Sequence, residues 1–152
     1  MAPCGPVVSV AGELWEVWET QTEDEVALEA LETRYRSLNV TLFQPGEVRR
    51  GRLEPLQTRL FVTRTPLTTN AVQVALTRQP GRARGALTAC KIDRNLQVGT
   101  LTSARFAQRS SLDLQRTLPG VNRHLLSVYL VNLSSAHGFD FSLLVRSVAA
   151  QF

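Results

Sequence analysis

Along most of this chain, apolar and polar residues alternate with a period of two. Leu38, Val40 and Leu42 alternate with Ser37, Asn39 and Thr41, Leu60 and Val62 with Phe61 and Thr63, and Val72, Val74 and Leu76 with Gln73, Ala75 and Thr77. Successive side chains of a strand point to opposite faces, so this spacing predicts half-buried β-strands. Ala86, Thr88, Cys90 and Ile92 continue the pattern, and Leu96–Thr102 and Ser111–Leu118 carry it more weakly. Leu125–Leu133 and Phe139–Val148 end the chain as two strong runs, read as a hairpin closed through Ser134–Gly138. Pro45-Gly46, Pro80-Gly81 and Pro119-Gly120 interrupt the runs where a fixed φ followed by a permissive residue makes a turn. Glu47–Pro55 is charged and aperiodic and reads as a loop or an edge segment. Seven to nine short strands at this spacing predict a mainly β chain, an antiparallel β-sandwich or jelly roll.

The N-terminal part has a different pattern. Val7–Val10 and Leu14–Trp18 read as two short strands, the second with Leu14 and Trp18 on one face and Trp15 and Val17 on the other. One acidic helix follows. Thr22 and Glu25 have the spacing of a capping box, Glu23, Asp24 and Glu25 place negative charge at the positive end of the helix dipole, and Val26, Ala30, Leu31 and Tyr35 supply an apolar face. The expected organisation is an N-terminal arm over 1–12 and a single domain over 13–152 that includes a helix over 22–33.

Charge sharpens this picture. The net charge is +4, but eight acidic and no basic residues lie between Glu13 and Glu32. Residues 1–54 carry ten acids against five arginines, and residues 55–152 carry twelve basic residues against Asp93, Asp113 and Asp140. Such polarity suits either an acidic helix lying over a basic sheet or copies that meet acidic part to basic part. Two arginine clusters stand out: Arg49, Arg50 and Arg52 around Gly51, and Arg78, Arg82 and Arg84 around the Pro80-Gly81 turn. Arginine forks match the carboxylates of a protein surface. Nucleic-acid modules interleave aromatics for base stacking, and none lies between Phe61 and Phe106, so nucleic acid is not the expected partner.

Catalytic patterns are missing from the sequence. His124 and His137 are separated by a whole strand, and neither a CxxC nor an HExxH pattern occurs, so no metal or cofactor is expected. Cys90 on a strand face reads as a small apolar residue, and Cys4 and Cys90 are expected as free thiols. Beyond Pro55 no glutamate exists to pair with an aspartate in glycosidase chemistry. Asn39-Val40-Thr41 and Asn132-Leu133-Ser134 match a glycosylation sequon inside predicted strands and read as chance. Residues 1–10 show no basic, apolar leader pattern, and no apolar run reaches the roughly 18 residues of a membrane span.

The resulting expectation is a non-enzymatic assembly protein, a homo-oligomer within a larger structure. Its most concrete form is a virion component of a bacteriophage, such as a capsid cement, decoration or tail protein, located in the virion or otherwise in the cytoplasm. Its partner contacts are expected at Trp15, Trp18, Glu23, Asp24, Glu25, Arg49, Arg50, Arg52, Arg82 and Arg84. The alternative is a carbohydrate- or ligand-binding sandwich that stacks sugars on Trp15, Trp18 or Tyr129.

Overall fold

Nine strands in two sheets organise the chain in a computed structural model that describes residues 4–20, 28–65, 71–107, 112–119, 121 and 124–148. The strands are β1 (Val40–Leu42), β2 (Val48–Leu53), β3 (Thr58–Arg64), β4 (Ala71–Arg78), β5 (Gly85–Ile92), β6 (Val98–Phe106), β7 (Leu112–Pro119), β8 (Leu125–Asn132) and β9 (Phe139–Val148). One sheet has the order β1-β3-β8-β5-β6 and the other β2-β9-β4-β7. From β2 onward, consecutive strands alternate between the sheets except for the β5–β6 hairpin, which is the jelly-roll arrangement of two packed sheets. Strands β2 to β9 pair antiparallel as expected, and β1 adds to the edge of the five-stranded sheet parallel to β3. The predicted mainly β sandwich is therefore a jelly roll, and the charged segment after Pro45-Gly46 is its edge strand β2.

The period-two pattern fills the space between the sheets. Phe61, Leu87, Ala89, Leu126, Val128 and Leu130 from one sheet meet Val72, Val74, Leu76, Phe141, Leu143 and Val145 from the other in one buried cluster. The last two strands do not form the expected hairpin: β9 pairs with β2 and β4, and β8 with β3 and β5. Asn132 is fully buried and bridges the crossing between sheets. Its Nδ2 donates to the carbonyls of Leu53 and His137, and its Oδ1 accepts from the Ser134 backbone.

The N-terminus departs most from expectation. Gly5–Thr20 is an α-helix, α1, in place of an arm and two strands. Val7, Val10, Ala11, Leu14 and Trp15 recur at three- and four-residue intervals and are all buried, a helical face that the local alternation around Glu16 obscured. With Leu31 and Tyr35 they cover the outer face of the five-stranded sheet at Leu60, Val62, Ile92 and Leu125, forming a second apolar cluster. The predicted acidic helix meets the structure at α2 (Leu28–Arg34), which is followed by a 3-10 turn over Arg36–Leu38. Its proposed cap at Thr22 and Glu25 lies outside the described residues. A disulfide joins Cys4 to Cys90 on β5, with Cα atoms 6.3 Å apart, within the usual span of such a bond. The cysteines are thus paired rather than free, because α1 folds back onto the sheet face that carries Cys90.

Candidate functional site

The strand ends bring Arg52 toward the loop that carries Arg78, Arg82 and Arg84. Leu53 is opposite Phe139, Gly85 is opposite both Asn132 and Phe106, and Arg78 is opposite Phe141. One end of the sandwich therefore holds the end of β2, the β4–β5 loop, the end of β6 and the β8–β9 connection. Arg78 organises it. This residue is only 2% exposed, its guanidinium lies over the rings of Phe106 and Phe139 at 5.0 and 5.2 Å, and it donates to the carbonyls of Gln79 and Gly81. Burial pushes its pKa below the ordinary arginine value. Arg78 thus holds the loop in shape, and Arg82 and Arg84 on the same loop are exposed. The backbone N–H of Arg84 donates to Ser134 Oγ and its carbonyl accepts from Leu133, tying the loop to the β8–β9 connection.

Sequence reasoning missed Arg105 and Phe106. The β5–β6 register sets Phe106 opposite Gly85 and Arg105 opposite Ala86, so residues far along the chain complete the site. Only the hairpin register could have revealed them. A cavity of about 610 Å³ results, lined by Arg84, Gly85, Arg105, Phe106, Ala107 and Leu133. Gly85 is required there, since a Cβ would run into the edge of Phe106 and lie 2.5 Å from the Val131 carbonyl oxygen.

The other cluster divides by face. Arg50 and Arg52 point to the outer face of the four-stranded sheet, where Arg50, Ser142 and Thr77 lie in one row across β2, β9 and β4. With Gln79 and Asp140 they line a shallow hollow of about 510 Å³. Arg52 is engaged by Glu54 at 2.9 Å and Asp140 at 3.4 Å, and these bonds raise its pKa. Arg49 faces the other way, donates to the Leu42 carbonyl and pairs with Glu47, so it closes the seam between the sheets and is not a free contact residue.

Trp15 is not a contact residue either. It is 5% exposed, its Nε1 donates to the Asp93 carbonyl at 2.9 Å, and Arg94 lies over its ring. α1 buries it, which removes it as a platform for sugars or subunits. Tyr129 is half-buried against the same cluster, and no described aromatic side chain is exposed. The side chain of Trp18 and residues Glu23, Asp24 and Glu25 lie outside the described residues.

Among the described residues no three of His, Cys, Asp and Glu come together as a metal would need. His124 and His137 sit at opposite ends of β8. Asp93 Oδ1 accepts from the backbone of Asn95 and Gln97, shaping the β5–β6 turn. No helix among the described residues is long and apolar enough to cross a membrane.

No family model matches this chain, and no curated protein sequence does. Solved structures do. CorA, a surface-associated copper-binding protein of Methylomicrobium album BG8, is 6% identical with a TM-score of 0.53, over 72% of this chain and 98% of that one. The Yersinia pseudotuberculosis-derived mitogen is 10% identical with a TM-score of 0.46, over 70% and 88%. A family 16 carbohydrate-binding module is 12% identical with a TM-score of 0.37, over 62% and 73%. At this level of identity, what this chain has in common with CorA is the β-sandwich fold.

Proposed function

We propose that this chain is a non-catalytic binding module that attaches to acidic surfaces of partner proteins through the arginine end of its sandwich. The observation that carries the reading is that Arg82, Arg84 and Arg105 are all exposed there, with no carboxylate paired to any of them among the described residues. Guanidinium forks in that state are matched by carboxylates on another molecule. Cys90 is in a disulfide, so its sulfur is not held as a free thiol nucleophile, which supports binding over covalent catalysis. Disulfides persist in oxidising surroundings, which favours an extracytoplasmic or extracellular setting over the cytoplasm.

A virion component, such as a capsid cement, decoration or tail subunit, is the narrower form of this proposal. Its support is that β2 and β6 are the outermost strands of their sheets, and an edge strand is where a neighbouring subunit can add by strand pairing. Carbohydrate binding by stacking has less support, because the described aromatic side chains lie in the two cores.

Light scattering across protein concentration at low and high salt tests the proposal, alongside binding to immobilised polyglutamate. A defined oligomer or a polyglutamate complex that salt and the triple change Arg82→Glu, Arg84→Glu, Arg105→Glu both dissociate is the expected result. A strict monomer that ignores polyglutamate at low salt overturns it.

A further inference from the structure

The cavity beside Arg84 and Arg105 is chemically more selective than the surface around it. We infer that it binds a carboxylate that carries an apolar group, the chemistry of a polypeptide chain ending in an apolar residue; this rests on the reading of the arginine end as a binding surface. The lining divides into two kinds of wall. Arg84 and Arg105 supply two guanidinium groups, and Phe106, Ala107 and Leu133 supply apolar surface. Among the described residues no carboxylate lines the cavity, and none of them neutralises the positive charge from within. Behind the Phe106 ring stands a third cation, the Arg78 guanidinium, whose Nη1 is buried without a hydrogen-bond partner and adds positive potential at the cavity floor.

An anion without an apolar part would leave Leu133, which is 37% exposed, and the edge of Phe106 facing water. An apolar ligand without an anion would leave two guanidinium groups without partners. Only a ligand with both parts satisfies both walls, and about 610 Å³ falls in the usual range of small-ligand sites, roughly 300–1,000 Å³. A carboxylate suits the planar, two-pronged guanidinium geometry. The site is also rigid. Gly85 lets the edge of the Phe106 ring approach β5, the ring packs against Phe139 in a T-shaped pair, and Arg78 lies over a ring face, so the floor is formed before a ligand arrives.

The test is calorimetric titration of the full chain with an acetylated tetrapeptide ending in leucine, the same peptide with an amidated end, 4-phenylbutyrate and polyglutamate. The free-acid peptide is expected to bind, with amidation and Arg105→Gln each weakening it tenfold or more. Leu133→Ser is expected to weaken the peptide severalfold and leave polyglutamate unchanged. Both substituted residues are at the surface, and circular dichroism serves as the check that the variants fold. If 4-phenylbutyrate binds with the same sensitivity to Arg105→Gln and Leu133→Ser, the cavity takes apolar carboxylates from small acids as well as chain ends. Equal binding of the amidated peptide, or no binding of either apolar acid while polyglutamate binds, overturns this inference and leaves the acidic-partner proposal standing. Failure of all four ligands overturns both.

Discussion

The guanidinium carbon of Arg78 lies 5.0 Å from the centroid of the Phe106 ring, so a cation closes one end of the core between the sheets. Arg78 extends β4 toward the loop that carries Arg82 and Arg84, and Phe106 ends β6 beside Arg105. One contact thus couples the stability of the sandwich to the placement of the arginine end.

Replacing Arg78 should therefore have both a structural and a positional effect. Arg78→Ala removes the stacking over Phe106 and Phe139 and two hydrogen bonds to loop carbonyls, and should cost about 2–4 kcal/mol in urea unfolding. Arg78→Met keeps most of the volume and removes a buried charge, so it should cost less. Both variants should loosen the loop, read as faster amide exchange at Arg84. Unchanged exchange in Arg78→Ala would contradict the coupling.

Two glycines should respond in opposite directions. At Gly85 a methyl group has no room between Phe106 and the Val131 carbonyl, so Gly85→Ala should destabilise the fold by about 1–3 kcal/mol. At Gly12, within α1, the nearest atom to an added Cβ is Leu96 Cδ1 at 4.0 Å. Gly12→Ala should stabilise the protein by about 0.5–1 kcal/mol, since alanine favours helix over glycine. Thermal melts of the two variants decide both points.

The disulfide should matter through the unfolded chain. It links residues 86 positions apart and fastens α1 to β5, so its removal by Cys4→Ser should cost about 2–4 kcal/mol. Wild-type protein treated with a dithiol reductant should fall to the same stability, and mass spectrometry after alkylation should then count two modified cysteines. Alkylation of both cysteines without reductant would show that the bond is absent.

Alkaline pH should loosen the packing around α1. Burial pushes the Tyr35 phenol from about 10 up to about 12, and the neighbouring Glu13 carboxylate adds to the shift. An unfolded tyrosine loses its proton near pH 10 while the folded one keeps it to about 12, so the unfolded state binds fewer protons in that window. Tyr35 should contribute its full stability below pH 10 and lose it progressively as the pH rises to about 12. Tyr35→Phe should flatten this slope in unfolding experiments, and a tyrosinate absorbance titration should place one of the two tyrosines near 12.

Strand alternation at Val72–Leu76, Leu125–Leu133 and Phe139–Val148, the turns at Pro45-Gly46 and Pro80-Gly81, and the exposed arginines of the β4–β5 loop were all legible, because each depends on neighbours within a few residues. The apolar spacing of Val7, Val10, Ala11, Leu14 and Trp15 was equally present, yet a short stretch with alternation around Glu16 also fits a strand. Only the apolar sheet face at Leu60, Val62, Ile92 and Leu125 selects the helix, by offering something for its stripe to cover. Tertiary structure likewise decided that β8 and β9 part into different sheets, that Cys4 reaches Cys90, and that Arg105 and Phe106 stand beside Arg84. A strand's own sequence fixes which of its faces is buried, whereas its hydrogen-bond partners are chosen by the whole chain when the core closes.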